Sequence, residues 1–387
     1  MNPPDPVSPD PTAIRSHDSD PAAGAVASWG SRLESETAVG EARLGTKVVA
    51  FGGGTGMAAL LSGLKRYTDN ITAVVTVTDD GGSSGRLRND FDMVAPGDLR
   101  NCLIALADVD PLIRDVFQYR FHEAELKGHC FGNLFITVLT RVMGNFGDSI
   151  REMNRILRVK GNVIPASADK VSLVAHHPDG TKSTGEVLIS QSKKPIDRVE
   201  LRPAPVLLSP EIRRAVEEAE IFLFGPGSLF TSVIPNLLID GIVESIKENG
   251  GPRVYIGNIM TQPGETDGYR LRDHIDALRR HVGNDFPDCA LAHKGRLPTE
   301  LVQKYRAEGA EPVVSGLPGP EYAGIRLVER DFLAVGTTAR HDSRLLAEAI
   351  CEEVLVPLNA AKGSPSRHAA EGAKAATAAP REGGGAT

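Results

Sequence analysis

The sequence predicts an α/β chain: a mainly parallel sheet wound with crossover helices and carrying a small β-hairpin insertion. Three observations predict it. From Lys47 onward short β-branched runs alternate with helical stretches. Four of those runs end in polar, glycine-rich turns. One internal stretch changes to a hairpin period.

The elements follow in order. Residues 1–45, rich in Pro, Ala, Ser and Asp, bury little apolar surface and are expected to be disordered. Lys47 to Phe51 reads as a strand ending in GGGTG, followed by a helix from Met57 to Tyr67. Thr72 to Thr78 is a second strand, ending in "DDGGSSGRLRND". Helices are expected over Asp98 to Ala107, with Asp98 as N-cap, and over Asn133 to Met143. Residues 162–202 contain "KVSLVAHHPDGTKSTGEVLIS", two strand-like runs about Pro178, Asp179 and Gly180, the predicted insertion. His176 and His177 beside its turn read as a solvated edge, because no carboxylate or cysteine partners them nearby in sequence. Ile221 to Phe224 ends in GPGS before a helix over Leu229 to Leu238, and Arg253 to Gly257 ends in "NIMTQPGET". From Asn359 to the last residue the composition again reads as disorder, so the folded domain spans 46–358.

Composition bounds the function. A chain of 387 residues with 41% hydrophobic side chains can bury a large core. A formal charge of −7 leaves no basic stripe for nucleic acid. The chain shows neither a basic-then-apolar leader nor an 18-residue apolar run, which predicts a cytoplasmic protein with no membrane insertion. Four separated cysteines, without C-x-x-C, fit a reducing compartment.

In open α/β sheets ligands bind beyond the carboxyl ends of the strands, so the four glycine-rich turns predict one shared cleft. Gly53, Gly54, Thr55 and Gly56 can bring backbone N–H groups to phosphate oxygens at a helix N-terminus. Gly54 to Ala59 fits G-x-G-x-x-A, and no Gly-Lys-Ser/Thr follows to make a P-loop. Asp79 and Asp80 are candidates for sugar hydroxyls or, through Asp80 in particular, for Mg²⁺. Ser83 and Ser84 could form an anion nest, with Arg86 or Arg88 adding a planar fork. Asn101 and Asn133 stand at helix starts, where a cap or a ligand contact is open. Gly225, Gly227 and Ser228 repeat the strand, glycine, helix device, and two such cradles on one edge suit a diphosphate. Asn258, Thr261, Gln262 and Glu265 follow the next strand, and Tyr269, expected on the following helix, can stack on a base or simply pack. No serine-histidine-acid arrangement can be picked out by spacing, and the G-x-S-x-G elbow is absent. An NAD-dependent oxidoreductase, suggested by the G-x-G-x-x-A fit and Asp79, lacks an evident acid or base for hydride chemistry.

With "GGGTG", "VTDDGGSSGRLR", "PGDLRNCLIALAD", "FGPGSLFTSVIPNLL" and "MTQPGET" in this order, the chain resembles the CofD/YvcK family, and within it the YvcK branch of gluconeogenesis factors. The resemblance covers about Lys47 to Leu358 and implies a Rossmann-like doubly wound domain. CofD proteins transfer a 2-phospholactyl group from a guanosine diphosphate-type donor to a deazaflavin hydroxyl with Mg²⁺. YvcK-like proteins bind UDP-sugars such as UDP-N-acetylglucosamine and govern cell shape and carbon flux into the wall. The long DDGGSSGRLR loop is the YvcK form, which favours a nucleotide-sugar-binding regulator with no required cofactor over a CofD-type transferase, in which Asp79 and Asp80 would serve catalysis. The resemblance adds Tyr269 against base or sugar and Arg340, in "TTARHDSRLL", on phosphate; without it Arg340, His341 and Asp342 read as a helix start. It also implies regulation at Ser343 and loss of a tyrosine hydroxyl at Phe230; wall-synthesis or uptake proteins and a second copy of the chain, as a homo-oligomer, are the candidate partners.

Overall fold

The computed structural model describes residues 44–363 other than 318, 320 and 323. The expectations of disorder for residues 1–43 and 364–387 lie outside the described residues. The strands are β1 (Val48–Gly52), β2 (Ile71–Val75), β3 (Asn162–Pro165), β4 (Ser172–His176), β5 (Lys182–Thr184), β6 (Arg198–Arg202), β7 (Ile221–Phe224), β8 (Arg253–Ile256), β9 (Cys289–His293), β10 (Glu321–Tyr322) and β11 (Ile325–Arg330). Eight of them form one sheet in the order β10-β11-β9-β8-β7-β1-β2-β3, parallel at every pairing except β10 with β11. From β3 to β9, with the strands of this sheet counted alone in chain order, the order is third-second-first-fourth-fifth-sixth, the doubly wound arrangement, and the chain reverses direction across the sheet between β1 and β7.

The central strands are buried along their whole length, as parallel strands covered on both faces must be. Phe51 pairs in register with Phe224, and their rings stack at 5.2 Å; Phe286 meets Phe224 edge-on at 4.6 Å. These rings form a rigid floor beneath the carboxyl ends of β1 and β7. The helix Gly54–Leu64 after β1 lies against the late helix Ser343–Ile350, where Gly63 gives the Ser343 backbone room that no side chain would leave. That close approach carries residues far apart in sequence to the same edge of the sheet.

The insertion is a separate antiparallel sheet, β5-β4-β6. Asn162–Pro165, expected to belong to it, is instead the edge strand β3 of the main sheet. The second strand-like run is short: the chain turns at Gly185 and continues as the helix Glu186–Ser192, where Asp80 Oδ1 accepts from the Val187 N–H at 2.9 Å. His177 is buried between the Pro195 carbonyl and Ser183 Oγ, while His176 lies 3.2 Å from Glu200, a carboxylate that the β4–β6 pairing supplies across the sheet.

Three further expectations shift. "DDGGSSGRLRND" is not a continuous loop but enters the helix Gly82–Asp90, too polar to show an apolar period. The segment after Ser228 opens with a π turn, Leu229–Val233, before Ile234–Leu237. At the carboxyl end, the chain beyond Asn359 stays helical to Gly363, with Asn359 Nδ2 donating to Thr46 Oγ1 at 2.9 Å. No helix among the described residues is long and apolar enough to cross a membrane.

Candidate functional site

The crevice between strands that leave a reversal point in opposite directions is where open α/β sheets bind ligands. Here a cleft of about 390 Å³ lies at that point, walled by Gly53–Gly56 after β1 and Pro226, Gly227 and Ser228 after β7. The two turns press on each other: a Cβ on Gly56 would stand 2.7 Å from the Pro226 carbonyl oxygen, and one on Gly227 would stand 3.4 Å from the Gly53 carbonyl oxygen. Asn236 ties the turns together, donating to the Gly52 carbonyl at 3.3 Å and to the Ser232 carbonyl at 2.8 Å. Gly54, at φ +68°, opens the helix in the left-handed region that glycine tolerates. Apart from the Gly54 N–H, which Asp98 takes, the amides at the start of this helix and its macrodipole are available to an anion in the cleft.

Acids gather on the β2 side. Asp79 and Asp98 line the cleft, and Glu186 reaches it from the insertion. Asp98, expected as an N-cap, is the second residue of the helix Gly97–Leu106 behind Pro96; its carboxylate faces Gly53 and accepts from the Gly54 backbone. Burial, reinforced by Asp79, pushes Asp98 up to about 7. Burial with Asp79, Asp98, Glu265 and Asp80 around it pushes Glu186 up to about 9. Behind them Glu265, itself raised to about 7 by burial, accepts from Ser190 Oγ at 3.0 Å and Thr231 Oγ1 at 3.4 Å.

The opposite end, beyond β8 and β11, is different in character. Ile259, Met260, Tyr305, Ala339, Arg340 and His341 line it. Tyr305 Oη accepts from the Ala339 N–H at 3.1 Å, and Asp342 caps the helix Ser343–Ile350 through the Arg344 and Leu345 N–H groups. Between the ends Gln262 Nε2 donates to Ser228 Oγ at 2.5 Å, and Asn258 Nδ2 donates to Gln262 Oε1 at 3.3 Å.

Of the residues singled out from sequence, the structure brings Gly53, Gly54, Thr55, Gly56, Asp79, Asp98, Gly227, Ser228, Asn258, Thr261, Gln262 and Arg340 to this lining. The others sit elsewhere. Gly225 shapes the β7 turn at φ +85° behind the wall. Asp80 caps the insertion helix, so the acid offered to a metal from this pair is Asp79. Ser83 is buried, its Oγ accepting from the Cys130 N–H at 3.4 Å and Asn133 Nδ2 at 3.3 Å and lying 3.2 Å from His129 Nδ1. Ser84 is buried against Gly97. Arg86 donates to the Lys127 carbonyl, Arg88 is buried on the Val77 and Val171 carbonyls, and Asn101 accepts from Arg100. The proposed anion nest is therefore spent on holding helices together. Tyr269 precedes the helix Leu271–Val282 rather than lying on it; its ring meets Phe230 and His274 edge-on at 6.2 and 5.7 Å, away from the lining.

Sequence reasoning missed Glu186, Ser232, Tyr305 and His341. Each comes from an element whose own pattern is that of ordinary packing. Among the described residues no three His, Cys, Asp or Glu side chains are spaced to hold a metal ion by themselves. Mg²⁺ commonly takes one or two carboxylates and completes its shell with water and ligand phosphate. Asp79, in one lining with the Gly53–Gly56 turn, fits that role.

The strand order and the paired turns at the reversal point define a Rossmann-like α/β protein with a polar cleft at its switch point. Comparison with known proteins gives the family. The chain belongs to the CofD family: the family model for 2-phospho-L-lactate transferase CofD matches residues 48–333, and the chain falls in the branch of gluconeogenesis factors. It is 41% identical to the gluconeogenesis factor of Bacillus subtilis over 308 residues, 79% of this chain and 97% of that one. With the gluconeogenesis factor of Halalkalibacterium halodurans the identity is 44% over 307 residues, 79% of this chain and 95% of the other. A crystal structure of a Bacillus halodurans protein superposes with a TM-score of 0.76 at 43% identity, covering 79% of this chain and 99% of that chain.

Proposed function

We propose that this chain is a regulator that binds a nucleotide diphosphate sugar of the UDP-N-acetylglucosamine kind and adjusts cell-wall precursor metabolism, and with it cell shape, during gluconeogenic growth. The observation that carries the reading is the backbone contact between the Gly53–Gly56 and Pro226–Ser228 turns. Two strand-to-helix turns pressed together form one wall of the cleft of about 390 Å³, where backbone N–H groups can meet phosphate oxygens, and Arg340 adds a cation to the lining. The names of the relatives support the metabolic setting. Wall-synthesis or uptake proteins are the partners this role calls for.

The charge balance sets a condition. Three carboxyls and a single Arg line the cleft, so an incoming diphosphate needs protonated acids or an accompanying divalent cation. Calorimetric titration of the full chain with UDP-N-acetylglucosamine, with and without Mg²⁺, is expected to give micromolar binding, roughly −8 kcal/mol. Absence of binding by every UDP-sugar tried would sink the proposal. The match to CofD and the raised carboxyls support a second reading, a Mg²⁺-dependent 2-phospholactate transferase acting on a deazaflavin, since phosphoryl chemistry relies on positioning more than on a protein nucleophile. Phosphorus NMR of the protein with a nucleotide-linked phospholactate and deazaflavin separates the two: the regulator leaves the phosphorus signals unchanged, and the transferase converts them.

A further inference from the structure

His341 lines the cleft at its β11 end and is nine-tenths buried, 9% exposed. Its Nε2 is buried and has no hydrogen-bond partner. The Gly257 carbonyl faces the same ring and therefore takes the proton on Nδ1, which leaves Nε2 as a bare acceptor. Burial, with His293 nearby, lowers the ring to about 4, so it stays neutral in the cell and the acceptor stays open. His293 does not serve it: its own Nδ1 accepts from the Phe332 N–H at 3.1 Å, and its Nε2 is also without a partner. A buried acceptor left unmade is costly, and in a native protein it calls for a partner from outside the chain.

Strand order says which part of a ligand arrives there. The phosphate turns occupy the middle of the cleft, at β1 and β7. A nucleotide diphosphate sugar pinned at its phosphates sends one arm toward β2 and the other toward β8 and β11. The β2 end offers Asp79, Asp98 and Glu186, acceptors suited to the many hydroxyls of a sugar. The β11 end offers Ile259 and Met260, the ring of Tyr305, the Arg340 cation and one neutral acceptor, which suits a flat ring that carries an N–H donor for His341 and carbonyl oxygens for Arg340.

We propose that His341 reads the nucleobase, its Nε2 accepting the imide N–H of a uracil-type ring. The proposal rests on the UDP-sugar reading above and adds the residue and the atom that select its base. Uracil carries a proton at N3 where cytosine carries a lone pair, so a bare acceptor attracts the first and repels the second. Sites built on a buried hydrogen bond discriminate strongly against ligands that cannot make it.

Calorimetry on the wild-type chain with UDP, CDP and N3-methyl-UDP tests this without altering the fold. UDP is expected to bind roughly 10- to 100-fold more tightly than either analogue. In His341→Leu, shown folded by its thermal transition, UDP is expected to fall to the affinity of CDP, the ratio collapsing toward unity. Equal binding of the three ligands by the wild-type chain overturns the assignment, as does an unchanged UDP-to-CDP ratio in His341→Leu. If neither UDP nor any UDP-sugar binds, the nucleotide reading fails first and this assignment falls with it.

Discussion

Gly56→Ala is expected to weaken binding of UDP-N-acetylglucosamine by more than roughly tenfold and to lower the thermal transition by several degrees. In an ordinary helix the same change stabilises, by about 1 kcal/mol, because alanine loses less backbone entropy than glycine. Here the added Cβ would stand 2.7 Å from the Pro226 carbonyl oxygen and 3.0 Å from its carbon. Both are backbone atoms, fixed by β7, by the Asn236 bonds and by the stacked Phe51 and Phe224 below. The only relief is to part the two turns, and overpacking of this kind costs about 1–3 kcal/mol. Packing therefore outweighs helix propensity, and the amides lose their common focus. Calorimetry and a melting curve on one preparation check both effects; an unchanged affinity would show that the contact does not build the site.

The second large effect is a stability that falls as pH rises. Asp98 is pushed up to about 7 and Glu186 to about 9, mainly by burial and then by neighbouring carboxylates. Unfolded, both titrate near the ordinary values of 3.8 and 4.5. Between those values and the raised ones the folded protein holds more protons than the unfolded chain, so raising the pH pulls the equilibrium toward unfolding. Stability is fully present below about pH 4 as far as these two groups go; it declines through about 7 as Asp98 ionises and through about 9 as Glu186 does. A tenfold change in proton affinity corresponds to about 1.4 kcal/mol, and water reaching the open cleft reduces the realised effect to about 2 kcal/mol over the range. Melting curves of the ligand-free protein from pH 5 to 9 are expected to fall steadily. Asp98→Asn makes the fall below about pH 7 shallower, and Glu186→Gln makes it shallower throughout and removes most of it above pH 7. A transition that rises with pH across this window would contradict the account. The same acids make diphosphate binding take up protons, so affinity weakens toward alkaline pH unless Mg²⁺ is supplied.

The parts of this molecule legible in the sequence are those set by local backbone demands. Glycine at the ends of β1 and β7 is required by positive φ at Gly54 and Gly225 and by close approach at Gly56, and such positions announce themselves wherever they occur. The buried parallel strands likewise read as unbroken apolar runs. What stayed hidden depends on packing between distant segments. Glu186 enters the cleft because a stretch that looks like a strand turns at Gly185, where Asp80 crowds the space a side chain would need. His341 arrives because Gly63 lets the helix Ser343–Ile350 close on the first one, and Tyr305 joins it through the Ala339 N–H. Ser83 and Asn133 have the chemistry of ligand contacts, yet they hydrogen-bond each other inside the protein. A polar side chain near a glycine turn is as able to satisfy a neighbouring helix as a ligand, and spacing alone does not separate the two.

The central claim is that one ligand's phosphates sit between the two glycine turns, and amide NMR on the glycine-labelled chain tests it most directly. On titration with UDP-N-acetylglucosamine the amides of Gly53, Gly54, Gly56 and Gly227, which line the cleft, are expected to shift together with a single affinity, while Gly82 and Gly85, outside the lining, hold still. Shifts confined to Gly82 and Gly85, with the cleft glycines unmoved, would contradict the account.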